Sequence, residues 1–379
     1  MIWLVLGALV ALFVLQFVHL SLALAWGDRK VEGLAYYGAP PAARERFRRA
    51  LGWHRVLLTP ILAVLSRTSK FRFSQSSFRH SGLTGPRGVC SPESFARGIA
   101  YRPGREDVLV ATQMKCGTTW MLHLVYQLLR RGQGDLVETG STLHAVCPWL
   151  EGRRTVPLET APLVGDGPRY KIIKTHLPAS HCPITPDAKY IYVARHPVSC
   201  FASCADFVVE NAGPFAPPLE LIEDWFRSDT DMWWGSWPAH VQGWWDLSRQ
   251  RNNVLFVLFE DMKKDLGAVA RKVESLLGIA PLSEAEMGEV LRKCSFAYMQ
   301  EHDRTFEMHP PHLLAAEASL FVRGSADRHL DVPEGPRRRI REWCAERMEA
   351  SSFPIARFYP DVTAGTDAAP AAAPSPRPA

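Results

Sequence analysis

The stretch Val108-Leu109-Val110-Ala111-Thr112-Gln113-Met114-Lys115-Cys116-Gly117-Thr118-Thr119-Trp120 decides how this chain folds. Val108 to Ala111 is a short apolar run of the kind that forms a buried strand. A helical pattern starts at Thr118 and continues to about Arg131. A strand that turns directly into a helix leaves backbone N–H groups and the positive end of the helix dipole facing out of the turn. Gly117 lets the backbone approach an anion closely, Lys115 adds a point charge, and Thr118 and Thr119 add hydroxyls. These are the parts of a phosphate or sulfate cradle. The loop is not a Walker A motif, which needs G-x-x-x-x-G-K-[ST]; here the lysine precedes the glycine. Taken alone, a capped helix start with a surface lysine is the alternative.

Working outward, the same alternation repeats. Tyr170 to Lys174, Tyr190 to Ala194 and Val254 to Leu258 are further strand candidates. A helix follows Pro197, and another runs from about Leu266 to Leu277 and stops at Gly278. Buried strands alternating with helices predict a parallel sheet covered on both faces, an α/β fold. Ligands in such sheets sit at the carboxyl ends of the strands. Two polar clusters fall there. Lys174-Thr175-His176-Leu177-Pro178 ends the second strand, where a histidine can serve as general base near neutral pH. Arg195 ends the third, and Ser203 stands eight residues later on the following helix, so both can reach one phosphate. The bland alternatives are a structural histidine, an arginine at the sheet edge and a solvent-facing serine.

Together these motifs resemble those of the cytosolic-type sulfotransferases that use 3′-phosphoadenosine 5′-phosphosulfate (PAPS). The family's 5′-phosphosulfate loop is P-K-S-G-T-T-W. Here Met114 and Cys116 replace the Pro and Ser, while Lys115, Gly117, Thr118, Thr119 and Trp120 match. Lys174 to Pro178 reproduces K-T-H-L-P in full. Arg195, Pro197 and Ser203 resemble the 3′-phosphate motif, with His196 in place of Asn or Asp. Phe259-Glu260-Asp261-Met262 resembles the family's Y-E-D-M with the tyrosine hydroxyl missing, and Cys294-Ser295-Phe296 resembles T-S-F. Phe321-Val322-Arg323-Gly324 is a reduced form of the closing R-K-G loop, in which Arg323 and Gly324 remain for the 3′-phosphate. The resemblance covers roughly residues 76–360. It implies His176 as base and Lys115 and Lys174 as stabilisers of the transferred group and leaving phosphate. It also implies that Trp120 and Phe296 sandwich the adenine, that PAPS is the co-substrate and its bisphosphate the product, and that no metal is needed.

Outside that region the sequence changes character. Ile2 to Ala25 holds no Asp, Glu, Lys or Arg, and as a helix it is long enough to cross a hydrocarbon core of about 30 Å. Residues 1–26 are therefore expected to be a single transmembrane anchor; a cleaved signal peptide ending near Ala25 and a buried core helix are the alternatives. Arg29, Lys30, Arg44, Arg46, Arg48 and Arg49 follow, so the positive-inside rule puts the rest in the cytoplasm. Residues 27–75 read as a basic juxtamembrane segment, with Arg44 to Arg55 either an amphipathic helix on anionic lipid or an ordinary solvated one. Residues 76–360 read as a single domain with a parallel sheet flanked by helices, and residues 361–379 as a disordered Ala/Pro-rich tail.

Composition sets outer bounds. The net charge of +5 over 379 residues does not signal a nucleic-acid binder, which would usually show a dense basic stripe. The eight cysteines contain no C-x-x-C pair and read as free thiols. His302, His309 and His312 could suggest a metal, but Pro310-Pro311 favours a solvent-facing loop. The expected acceptor is a hydroxyl, or an amine, on a hydrophobic alcohol, phenol or lipid. That expectation comes from the aromatic content and the membrane segment. The competing functions are a P-loop kinase, which would need Mg²⁺, and an inactive membrane-anchored binding protein of the same fold.

Overall fold

The computed structural model describes residues 1–32, 35–307, 310–314 and 328–364. Two long helices lead, α1 (Ile2–Lys30) and α2 (Pro41–Thr68), followed by a small hairpin of β1 (Ser77–His80) and β2 (Leu83–Pro86) and by α3 (Pro92–Ala100). The α/β body then runs β3 (Asp107–Thr112), α4 (Thr118–Leu129), α5 (Leu143–Val146), β4 (Lys171–Thr175), β5 (Lys189–Ala194), α6 (Pro197–Ala212), α7 (Leu219–Phe226), α8 (Trp237–Gln250) and β6 (Val254–Leu258). It closes with α9 (Phe259–Lys264), α10 (Leu266–Leu277), α11 (Glu284–Lys293), α12 (Phe296–Glu301), α13 (Glu334–Arg347), α14 (Ile355–Phe358) and α15 (Pro360–Thr363).

Among the described residues, β3 to β6 form one sheet in the order β4-β3-β5-β6, every pair parallel. All six residues of β3 are buried, as a strand covered on both faces requires. One face packs Leu109, Ala111, Tyr190 and Tyr192 against α6, α8 and the β1–β2 hairpin. The other packs Val108, Val110, Ile191 and Val193 against α4, α10 and α11. β4 and β5 lie on opposite sides of β3, so the chain reverses direction across the sheet at β3. Open parallel sheets bind their ligands at the carboxyl edge beside such a reversal. Local signals agree: Pro197 is the first residue of α6, and Gly278 ends α10 in the left-handed conformation at φ 65°.

Three expectations change. The domain stays packed through Thr363, because Val362 is buried and Asp361 pairs with His196 and Arg341; the tail begins later than residue 361. Residues 27–75 are more than a loose basic connector, since α2 occupies most of the segment and docks on the body. Its Arg48 is buried and pairs with Glu307, whose other oxygen accepts from the Tyr36 hydroxyl at 2.6 Å. His312 is half-buried with Nε2 3.3 Å from the Asn211 amide oxygen, rather than facing solvent, and His309 lies outside the described residues. The eight cysteines are free and buried.

Because the Arg48–Glu307 pair is buried, removing one partner strands the other. Arg48→Met should cost about 3–5 kcal/mol in denaturant unfolding, and Arg48→Met with Glu307→Leu should recover most of it. A single-variant loss below about 1 kcal/mol, typical of an exposed pair, would contradict this docking.

Candidate active site

Residues at the carboxyl ends of β3, β4, β5 and β6 meet at one edge of the sheet. The β3–α4 turn forms as its sequence requires. Gly117 has φ +95°, and a Cβ placed on it would meet the Phe259 ring at 2.7 Å, so both conformation and space demand glycine. Lys115 adopts the left-handed region at φ 62°, which is uncommon for a side-chain-bearing residue and concentrates at functional turns. The other non-glycine residue of this site with that geometry is Trp234, also at φ 62°. Gln113 ties the two turns together, its Nε2 donating to the carbonyls of Trp233 (3.2 Å) and Gly235 (2.5 Å). Within the turn, the Thr118 and Thr112 hydroxyls lie 2.6 Å apart, while the Thr119 hydroxyl is buried and makes no hydrogen bond. Cys116 turns its side chain into the core, its sulfur 3.6 Å from that of Cys200. Only its backbone is left for a ligand.

At the end of β4, His176 is buried, and its Nδ1 lies 2.9 Å from the Thr112 carbonyl oxygen. A carbonyl only accepts, so Nδ1 carries the proton and Nε2 keeps its lone pair. Burial, with Lys174 nearby, lowers the imidazole pKa well below the usual histidine value, so the ring stays neutral at physiological pH. Its backbone is fixed from two sides: the N–H donates to the Glu151 carboxylate at 2.7 Å, and the carbonyl accepts from His240 Nε2 at 2.9 Å. The rings of Trp234 and Trp149 pack at 4.8 and 5.5 Å.

Lys174 is wholly buried. Its ammonium sits 3.5 Å over the Trp149 ring and makes no hydrogen bond. Burial lowers its pKa to about 7, against the pull of the buried Glu151 carboxylate. Lys115 lies 5.1 Å from the centre of the Phe207 ring on α6, and desolvation lowers its pKa too, opposed by Glu210 and Asp206. Arg195 donates to the Lys115 carbonyl at 3.0 Å, and its guanidinium stacks 4.5 Å over the Phe259 ring. The site thus gathers three cations in low-dielectric surroundings, an arrangement that favours an incoming anion.

The remaining sequence candidates fall around this centre. Phe259 begins α9, against Gly117, Arg195 and the edge of Trp120, at 5.6 Å from the last. The Trp120 indole donates to the Cys294 carbonyl at 2.8 Å, so Cys294 contributes through its backbone while its thiol is buried. Ser295 caps α12, its hydroxyl accepting from Tyr298 N–H, and Phe296 follows, half-buried. Ser203 is half-buried on α6, one turn beyond Ser199. His196, replacing the family's Asn or Asp, caps α6 by accepting from Ser199 N–H. Arg323 and Gly324 lie outside the described residues. Sequence motifs point to none of Gln113, Glu151 and Trp149, and they give His240, within a stretch that resembles the family's middle region, no role. Glu151 had a usable signal as a lone carboxylate in the apolar run Pro148-Trp149-Leu150.

A buried lysine whose pKa is lowered to about 7 and whose ammonium makes no hydrogen bond among the described residues should gain a proton when an anion arrives. Calorimetric binding of adenosine 3′,5′-bisphosphate between pH 7 and 8, in buffers of different ionisation enthalpy, should show net proton uptake that Lys174→Met reduces. Equal uptake in both proteins would contradict the assignment of the shifted pKa to Lys174.

Comparison with known proteins agrees with this geometry. Residues 105–352 match the sulfotransferase domain family model. Rat sulfotransferase 1C2 is 29% identical over 255 residues, covering 65% of this chain and 84% of the relative. Mouse sulfotransferase 2B1 is 27% identical over 261 residues, covering 67% and 74%. The solved mouse sulfotransferase SULT7A1, complexed with PAP, superposes with a TM-score of 0.57 at 22% identity, over 75% of this chain and 98% of that one. Retinol dehydratase in complex with retinol and PAP gives 0.56 at 17%, over 75% and 97%. With a strand–loop–helix cradle, a neutral buried histidine and a family match spanning most of the α/β body, this chain belongs to the sulfotransferase domain family.

Proposed function

We propose that the protein transfers the sulfuryl group of PAPS to the hydroxyl, or amine, of a hydrophobic alcohol, phenol or lipid. The observation that carries this reading is the pairing of His176 Nδ1 with the Thr112 carbonyl. It leaves Nε2 as a proton acceptor beside a buried cation that lacks a hydrogen-bond partner. The residues present fit the nucleotide: the buried Thr119 hydroxyl and Lys174 ammonium have no hydrogen-bond partner among the described residues, and Gly117 leaves room for close backbone approach. Cys116 to Trp120 would hold the 5′-phosphosulfate, and Arg195, Ser203, Arg323 and Gly324 the 3′-phosphate. Trp120, Phe259, Cys294, Ser295 and Phe296 would hold the adenosine.

PAPS brings an activated sulfuryl group, so the protein has to position, deprotonate and stabilise charge. His176 takes the acceptor proton at Nε2, and its lowered pKa keeps that nitrogen available at neutral pH. Lys174 balances charge on the sulfuryl oxygens, and Lys115 balances charge on the leaving 5′-phosphate. Trp149 and Trp234 put indole surface beside the base, which suits an apolar acceptor. Retinol and androsterone, each held with PAP in solved structures of retinol dehydratase, are apolar alcohols of that kind.

We also take α1 as a membrane anchor, with the catalytic domain on the cytoplasmic side. Its apolar residues from Ile2 to Leu15 are exposed, and Arg29 and Lys30 end the helix.

The test is sulfate transfer from radiolabelled PAPS to phenols, sterols, fatty alcohols and sugars. His176→Ala should lower turnover by about 10²–10⁴-fold, the range for a lost general base, while leaving bisphosphate affinity unchanged. Retained turnover in the variant would remove His176 from the mechanism, and a profile confined to soluble sugars would remove the hydrophobic acceptor.

A further inference from the structure

α2 is apolar on more sides than the catalytic domain covers. Val56 to Ser66 is free of charged residues and is bracketed by Arg55 and Arg67. Leu58, Ile61 and Leu62 pack inward with Leu313, Phe215 and Leu65. Trp53, Val56, Leu57, Pro60, Ala63 and Val64 are exposed. Their spacing of three and four residues makes one continuous stripe along the helix. A soluble helix normally shows water a polar face there, so this stripe lacks a partner within the described residues.

The contacts between α1 and α2 say what that partner is. Gln16 lies in the middle of the charge-free run of α1, and both ends of its amide are used by the backbone of α2. Nε2 donates to the Leu57 carbonyl at 3.1 Å, and Oε1 accepts from the Ile61 N–H at 3.0 Å. A regular helix pairs these two groups with each other. They flank Pro60, which has no N–H and disturbs the helical bonding around it. One turn along, His19 Nε2 and His54 Nδ1 share a hydrogen bond at 2.9 Å. In lipid an unpaired amide costs several kcal/mol, and proline is tolerated where a neighbouring helix meets the freed backbone groups. The polar atoms in the middle of α1 are therefore satisfied only if residues 54–61 of α2 travel with it. At its base the pair is closed by Trp26 packing on Phe47, and Arg44 of α2 fastens it to the domain by donating to the Gly140 carbonyl at 2.7 Å.

We propose that α2 is a second membrane helix, with its Trp53–Val64 stripe in the lipid beside α1, so that the catalytic domain is held flush against the bilayer. The inference rests on reading α1 as a membrane segment. The exposed stripe is continuous with the exposed apolar surface of α1 through the Gln16 contact. Its ends carry the residues that suit a lipid boundary: Trp53 next to Arg55 at one end and Arg67 at the other. A stretch of this length, about 16 Å at about 1.5 Å per residue, is too short to cross alone and suits an interfacial or re-entrant helix.

The experiment is site-directed spin labelling of the full chain in phosphatidylcholine–phosphatidylserine nanodiscs. Labels go on Val56→Cys, Leu57→Cys and Val64→Cys, with Val10→Cys on α1 and Val209→Cys on the body as references. Collision rates with oxygen and with a water-soluble nickel chelate are read at each site. The α2 labels should show an oxygen-to-nickel ratio severalfold above Val209→Cys and close to Val10→Cys, and Gln16→Leu should lower it. Water-like α2 labels beside a lipid-like Val10→Cys would overturn the proposal and leave the anchor standing. Water-like labels at every site would sink the anchor reading as well. Label–label broadening in two-chain discs that vanishes in one-chain discs, leaving the stripe wet, would assign it to a second copy and overturn the proposal.

Discussion

The hydrogen bond from His176 Nδ1 to the Thr112 carbonyl joins the ends of β3 and β4, and the chemistry of the site depends on it. The parallel pairing of these strands brings Ala111 opposite Thr175, which places the next residue of each strand side by side at the carboxyl edge. The tautomer of this imidazole thus follows from sheet register rather than from a dedicated carboxylate. Glu151, which in another arrangement could have bonded the imidazole, instead accepts from the backbone N–H of His176 and the hydroxyl of Thr175. It holds the ring in place without charging it.

The same edge concentrates positive charge where solvent is scarce. Lys174 is buried without a hydrogen bond, and Lys115 and Arg195 lie close by in turns that the sheet positions. Burying cations in this way disfavours their charged forms and pushes the pKa values of both lysines down. An anionic ligand reverses that cost. The protein carries local electrostatic stress at the site, together with left-handed backbone at Lys115 and Trp234. A family of enzymes that handles sulfate and phosphate groups gives that stress a purpose.

Much of this was legible because it is local. A strand, a glycine turn and a helix start occupy adjacent residues, so Lys115 to Trp120 could be placed from periodicity and chain chemistry; Lys174, His176 and Arg195 sit at strand ends for the same reason. Trp149, Glu151, Gln113 and His240 were not legible, since each reaches the site through tertiary contact. The segment before Glu151 joins the sheet through a single bridge between Trp149 and Lys174, and His240 arrives from α8. The extent of α2 was missed because its apolar residues face both the domain and outward, and Pro60 interrupts the pattern. The thiol of Cys116 was unreadable in another sense: only the fold shows that it points to Cys200 and into the core.

We propose that this edge of the sheet is built for an adenosine carrying phosphate at both 3′ and 5′ positions. Equilibrium binding to the full chain in the presence of EDTA tests it most directly, comparing adenosine 3′,5′-bisphosphate with adenosine 5′-monophosphate and with ATP. Tight, metal-independent binding of the bisphosphate, weakened by Arg195→Ala and much weaker for the other two nucleotides, is the predicted result. No binding of the bisphosphate, or a preference for ATP that appears only with Mg²⁺, would rule out that specificity.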